Sequence, residues 1–212
     1  MRMNKKKIFL LRHGETEWNE KGVFRGRSDI GLNDNGKRQA SALGAALKDT
    51  GIERIYSSPL KRAYETAEIV GRSIGAPFEK DEGFQNIDLG VWQGMVKEEV
   101  KSKYPKMWEQ WLYCPNKLKI PEGESVWAVQ RRSVRRMLEL LNDGPDIFAV
   151  VSHRTVLKVI LGGLMGLKGN YFWKFRMDNC SINVLEHEDK RGFMLTKLNA
   201  TSHLGTFVIE NE

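Results

Sequence analysis

The spacing of apolar positions changes repeatedly along this chain, and each change marks an element. Ile8 to Leu11 is a short apolar run that stops abruptly at Arg12-His13-Gly14, and residues 7 to 12 are predicted to form the first strand. Glu15 to Glu20 is read as a short turn of helix. After the turn Asn33-Asp34-Asn35-Gly36, the residues Ala40, Leu43, Gly44 and Leu47 recur at helical spacing. Arg54 to Ser57 is the second predicted strand. Ser58-Pro59 is expected to open the next helix, with Ser as cap and Pro in the first turn, continued by Ala63, Thr66, Ala67 and Val70. Ala76 to Glu79 reads as a short third strand. Gly123 to Asn142 reads as a long helix with Val126, Val129, Ser133, Met137 and Leu140/Leu141 on one face. Ile147 to Ser152 is continuously apolar up to its last residue, the pattern of a strand buried on both faces. A helix over Thr155 to Met165 and two strands, Ser181 to Glu186 and Gly192 to Leu198, complete the series.

Strands and helices thus alternate and end in a strand pair. That order predicts an α/β protein, a three-layer α/β/α sandwich around a mostly parallel central sheet. Two stretches interrupt it. Residues 22 to 31 form a glycine-punctuated loop carrying Arg25 and Arg27, suited to close approach of backbone to a ligand. Residues 82 to 122 hold Trp92, Trp108, Trp111 and three prolines, with helical patches near 95–103 and 105–112. They are read as an insertion that walls the site; a surface excursion with its own small apolar cluster is the alternative.

At 212 residues, one domain spanning 1–212 is the expectation. Hydrophobic content of 41% and charged content of 29% are those of a globular protein. The net charge of +7 allows a nucleic-acid partner, but the basic residues are scattered and interleaved with acids, so a site for small anions is favoured. Cys114 and Cys180 are too few and too far apart for a disulfide framework, and neither has a metal-type neighbour in sequence. The first apolar run is too short for a signal peptide or a membrane span. No membrane partner is expected, and the expected setting is cytoplasmic.

Two buried-type strands end in histidine: Leu10-Leu11-Arg12-His13 and Val150-Val151-Ser152-His153. In a parallel sheet both ends lie at the edge where ligands bind. Arg62, at the start of the helix after the second strand, falls on that same edge. Any one of these residues alone is more often structural or solvated; their joint placement at three strand ends predicts a pocket of dense positive charge. Phosphate suits such a pocket, because guanidinium matches its oxygens bidentately. A neutral histidine held in one tautomer attacks phosphorus well, and His13 is assigned that role. Arg12, Arg62 and His153 would stabilise the equatorial oxygens, and a carboxylic acid should protonate the leaving alkoxide. His-Glu-x-x-His, Cys-x-x-Cys and Walker-type motifs are absent, so no metal ligands and no cofactor are predicted.

The segment Leu11-Arg12-His13-Gly14-Glu15-Thr16-Glu17-Trp18-Asn19 closely resembles the signature of the histidine phosphatase superfamily, the phosphoglycerate mutase-like proteins. The resemblance continues through Gly26 to Leu32, Ser57 to Ala67, Gly90 to Gly94, Glu122 to Ser125, Val151-Ser152-His153 and Leu198 to Leu204. It implies His13 as the phosphorylated nucleophile, a phosphate pocket of Arg12, Arg62 and His153, and contacts from Asn19 and the backbone near Gly26. It also implies no metal.

Four positions depart from the pattern. Asn86 stands where such proteins usually carry the acid glutamate; an amide binds phosphate but shuttles no proton. Asp88, Glu82 and Asp81 are the nearby substitutes, Asp88 being the first choice. Arg25 replaces the usual Gln or Thr, and Arg154 follows the second histidine where Gly is common. Both suggest a more anionic substrate. Glu122 occupies a position that is often glycine. The leading expectation is a metal-independent phosphatase acting on a small phosphorylated metabolite. A phosphoglycerate mutase is the alternative within the family, and a catalytically impaired phosphate-binding protein is the alternative outside it. The Trp-rich insertion, read as exposed, offers an interface for a homodimer.

Overall fold

The computed structural model describes residues 5–205. Among these residues six strands form one mixed sheet in the order β3-β2-β4-β1-β5-β6. They are β1 (Lys5–Arg12), β2 (Arg54–Ser57), β3 (Phe78–Lys80), β4 (Ile147–Ser152), β5 (Ile182–Glu188) and β6 (Gly192–Ala200). The first four strands run parallel, and β5 and β6 close the edge antiparallel. Among the described residues seven α-helices flank the sheet: α1 (Glu17–Glu20), α2 (Asp34–Ala46), α3 (Lys61–Ile74), α4 (Lys97–Lys103), α5 (Pro105–Tyr113), α6 (Val126–Asp143) and α7 (Arg154–Leu164). This is the predicted α/β sandwich.

The period of two in β1 splits the core. Phe9 and Leu11 pack with Ala40 and Leu43 of α2 and with Ala63, Ala67 and Val70 of α3 on one face. Ile8 and Leu10 pack with Val129 and Met137 of α6 and with Val156 and Ile160 of α7 on the other. Small residues let α2 and α3 come close: a Cβ on Gly44 would lie 2.7 Å from the Ser73 side chain.

Three expectations are corrected. Ser58 does not cap α3, which starts at Lys61; its hydroxyl lies 2.7 Å from His153 Nε2 instead. The long helix begins at Val126 with Ser125 as its cap, because Glu122 and Gly123 form a turn first. The tryptophans at 82–122 are not exposed. Trp92 and Trp111 are buried, Trp108 is partly buried, and Trp111 meets Phe172 and Trp173 edge-on. They knit this segment to the core, so they are not free to form a dimer surface. Glu122 has φ +59°, a left-handed backbone conformation that favours glycine.

Candidate active site

Register builds the site. Arg12 pairs with Ser152 across β1 and β4, so the residues that follow each, His13 and His153, leave the sheet side by side. Their ring centroids are 5.2 Å apart. Ser57 lies opposite Val151 one strand further, which sends the chain to Arg62 on the same edge. Arg12, His13, Arg62 and His153 are all buried.

Arg12, His13 and Arg62 are held by backbone carbonyls, and His153 by the Ser58 hydroxyl. The Arg12 Nη1 donates to the Met177 carbonyl at 2.6 Å. Arg62 donates to Ser28 O at 2.8 Å and to Gly26 O at 2.9 Å, so the glycine loop is clamped over the strand ends. Gly26 sits at φ +49°, and a side chain there would collide with Gln93. His13 Nδ1 lies 2.6 Å from Gly14 O. A carbonyl only accepts, so Nδ1 carries the hydrogen and the Nε2 lone pair is available. Burial, then the charges of Arg62, Arg12 and Arg25, hold the His13 imidazole well below its usual pKa. Burial and then Arg62 and His13 do the same for His153.

A cavity of about 270 Å³ opens onto this edge. Its lining includes Arg12, His13, Asn19, Arg25, Gly26, Asn86, His153 and Arg154, so these predicted site residues come together. Asn19 Oδ1 accepts from the Thr16 amide at 2.9 Å and the Thr16 hydroxyl at 2.7 Å, which fixes its amide. Asp88 does not line the cavity. Its carboxylate accepts from Gly90 N at 2.9 Å and faces Arg27 at 3.7 Å. Asp81 is likewise occupied, by Arg136 at 2.6 Å. Among the described residues lining the cavity, the carboxyl group belongs to Glu20. No group of three or more His, Cys, Asp or Glu side chains among the described residues is arranged to hold a metal ion.

The residues 8–201 match the model of the histidine phosphatase superfamily, branch 1. The chain belongs to this superfamily. It is 38% identical over 206 residues to Phosphoserine phosphatase 1 of Hydrogenobacter thermophilus, covering 96% of this chain and 97% of that protein. It is 28% identical to a probable phosphoglycerate mutase, GpmB, of Erwinia tasmaniensis, over 93% of this chain and 94% of that one. Among solved structures it resembles YhfR of Bacillus stearothermophilus, with a TM-score of 0.87 at 28% identity over 93% of this chain and 98% of that one. It also resembles a mycobacterial glucosyl-3-phosphoglycerate phosphatase complexed with VO3, with a TM-score of 0.86 at 26% identity over 92% of this chain and the whole of the other.

Sequence reasoning passed over several residues that shape the superfamily site in this chain. Asn179 Nδ2 donates to His13 O at 2.9 Å and to Gly14 O at 3.2 Å. Its signal was its position just before β5, which runs antiparallel to β1 and so begins beside the end of β1. Arg132, from α6, braces Asn86 O at 3.1 Å and forms a pair with Glu124 at 2.9 Å. Lys97 of α4 lines the cavity, and nothing in its sequence surroundings marked it.

Proposed function

We propose that this protein is a phosphomonoesterase that passes the phosphoryl group through a phosphohistidine at His13. The observation that carries the reading is the His13 imidazole: buried beside His153, bound to Gly14 O through Nδ1, and surrounded by guanidinium groups that keep it neutral. Nε2 attacks phosphorus. Arg12, Arg62 and His153 hold the equatorial oxygens as charge spreads over them, supplying by fixed donors what a metal ion supplies elsewhere. Water then cleaves the P–N bond. Asn19 and the backbone at Gly26 complete the phosphate site. Asp88 has no part in this scheme, because its carboxylate is committed to Gly90 and Arg27.

Arg25, Lys97 and Arg154 add positive charge to the cavity lining. They support a small phosphorylated metabolite with a second anionic group. The substrates named for two of the similar proteins, phosphoserine and glucosyl-3-phosphoglycerate, each join a phosphate to a carboxylate. The same reading takes the chain as a single domain in which residues 82–122 wall the site, since Asn86, Ile87, Leu89, Lys97 and Trp111 line the cavity.

The test is a panel of phosphoesters assayed with a chelator present, with quenching in alkaline denaturant to look for covalent phosphate and an acid-treated control. Turnover unaffected by chelator, with an acid-labile, base-stable phosphoenzyme, is the expected result. Turnover lost on chelation and restored by a divalent cation overturns it. The similarity to GpmB supports a second reading, mutase activity; 3-phosphoglycerate with its bisphosphate primer, giving isomerisation faster than phosphate release, would establish that one.

A further inference from the structure

The Asn86 amide has a fixed direction. The Nδ2 atom donates to Gly26 O at 2.9 Å, the same oxygen that takes Arg62 Nη2 at 2.9 Å. The Asn86 main-chain carbonyl is pinned as well, by Arg27 Nε at 3.4 Å and Arg132 Nη2 at 3.1 Å. Turning the amide over would place Oδ1 against a carbonyl oxygen and break the bond, so Nδ2 must face Gly26. The donor end is spent. What remains is Oδ1, buried and without a hydrogen-bond partner among the described residues, on a side chain that lines the cavity beside His13. A buried acceptor left unpaired is costly and calls for a hydrogen from whatever binds.

The Arg12 and Arg62 guanidiniums proposed to hold the phosphoryl oxygens can only donate. Asn86 offers the opposite. An unprotonated phosphoryl oxygen facing Oδ1 sets lone pair against lone pair, whereas a P–O–H group makes a hydrogen bond. We propose that Asn86 is a specificity-determining residue whose Oδ1 selects the singly protonated phosphoryl group, so that the substrate brings in the proton its own leaving group needs.

The proposal rests on the phosphohistidine reading, and the steps balance without an enzyme acid. Neutral His13 attacks ROPO3H⁻ through Nε2. The P–N bond forms, the P–OR bond breaks with its electron pair going to the leaving oxygen, and the phosphoryl proton moves to that oxygen to give ROH. Water then forms a P–O bond as the P–N pair returns to Nε2, and one water proton passes to a phosphoryl oxygen. The product is H2PO4⁻, which again presents a P–O–H to Asn86. The charged and titratable groups around this point are Arg12, His13, Glu20, Arg25, Lys97, His153 and Arg154 in the lining, Arg62, which shares Gly26 O with Asn86, and Arg27 and Arg132 on the Asn86 carbonyl, both paired with Glu124.

Inorganic phosphate and sulfate are the probes, titrated calorimetrically into the full chain from about pH 5.5 to about pH 8.5, a range that spans the second phosphate ionisation. Sulfate keeps both charges throughout, so it meets the same histidine charges and removes them from the comparison. The ratio of phosphate to sulfate affinity should fall about tenfold per pH unit above the phosphate's second ionisation, as expected for one required proton. A flat ratio in the wild type overturns the proposal. Asn86→Leu should flatten the ratio, and a retained slope in that variant, with its melting transition intact, also overturns it. If the variant does not fold, the wild-type slope decides. Turnover with a flat ratio removes this proposal and leaves the phosphatase reading; a sloping ratio with no turnover does the reverse.

Discussion

The Gly14 carbonyl oxygen lies 2.6 Å from His13 Nδ1 and decides which nitrogen of that ring can react. Since the oxygen only accepts, Nδ1 carries the hydrogen, and Nε2 is the nitrogen that attacks in the proposed scheme. His13→Ala should therefore abolish phosphoenzyme formation and reduce turnover on the order of 10⁴-fold or more. Phosphate should still bind through the arginines. Covalent labelling that survives the substitution would remove His13 from its assigned role.

Asn179 Nδ2 donates to that same carbonyl at 3.2 Å and to the His13 carbonyl at 2.9 Å. It touches no substrate in the proposed scheme and acts by positioning. Asn179→Leu deletes two buried hydrogen bonds of roughly 1 kcal/mol each. The expected result is a lower kcat with little change in KM, together with a shift of the His13 ¹⁵N signals toward a tautomer mixture. A fall in melting temperature with the imidazole signals unmoved would mean the residue is merely structural.

The acid side of the pH profile follows from the histidines. His13, His153 and His203 all have pKa values lowered mainly by burial, so each is neutral in the folded protein near pH 7. The unfolded chain takes up protons below about pH 6.5, while the folded chain resists until lower pH. Between those two points the unfolded state binds more protons, so stability rises with pH. It should be fully present above about pH 6.5 and be lost progressively as pH falls toward the folded values. Denaturant midpoints measured from pH 7.5 down to pH 5 check this; a midpoint that rises on acidification contradicts it. Phosphoenzyme formation should persist somewhat below pH 6.5, since His13 is still neutral there.

Much of this was legible in advance because it depends on local chemistry. The apolar runs before Arg12 and Ser152 identified two central strands, and parallel pairing alone then set His13 beside His153. What was not legible depends on direction and long-range contact. Ser58 has the chemistry of a helix cap, but a histidine from another strand end lies within 2.7 Å of its hydroxyl. Asp88 has the chemistry of an acid, but it is turned outward by a contact with Arg27 from a loop sixty residues earlier in the fold's path. The tryptophans read as surface because their segment lacks period, yet their partners Phe172 and Trp173 come from a distant part of the chain.

Asp88 provides a sharp negative expectation. Its ion pair with Arg27 spans 3.7 Å and is partly exposed, which limits its worth to a few tenths of a kcal/mol. Asp88→Asn should change turnover less than about threefold. Aryl phosphates, whose anions leave easily, and alkyl phosphates, whose anions do not, should be affected alike. A selective loss on alkyl phosphates would return Asp88 to the role of proton donor.

Arg25 and Arg154 test the substrate class. Both line the cavity, and Arg25 contributes to lowering both histidine pKa values, which places its charge close to them. If the second anionic group of the substrate rests on these guanidiniums, Arg25→Ala and Arg154→Ala should each raise KM for phosphorylated carboxylates. The loss of a hydrogen bond to a charged group, about 1.5–3 kcal/mol, corresponds to roughly ten- to hundredfold. Phosphoesters without a carboxylate should change little in KM, because they never made the contact. Comparing phosphoserine with phosphoethanolamine isolates that carboxylate, since the two differ by this group alone. An equal rise in KM for both would show that the arginines act on the phosphoryl group itself, and the second-anion assignment would fall.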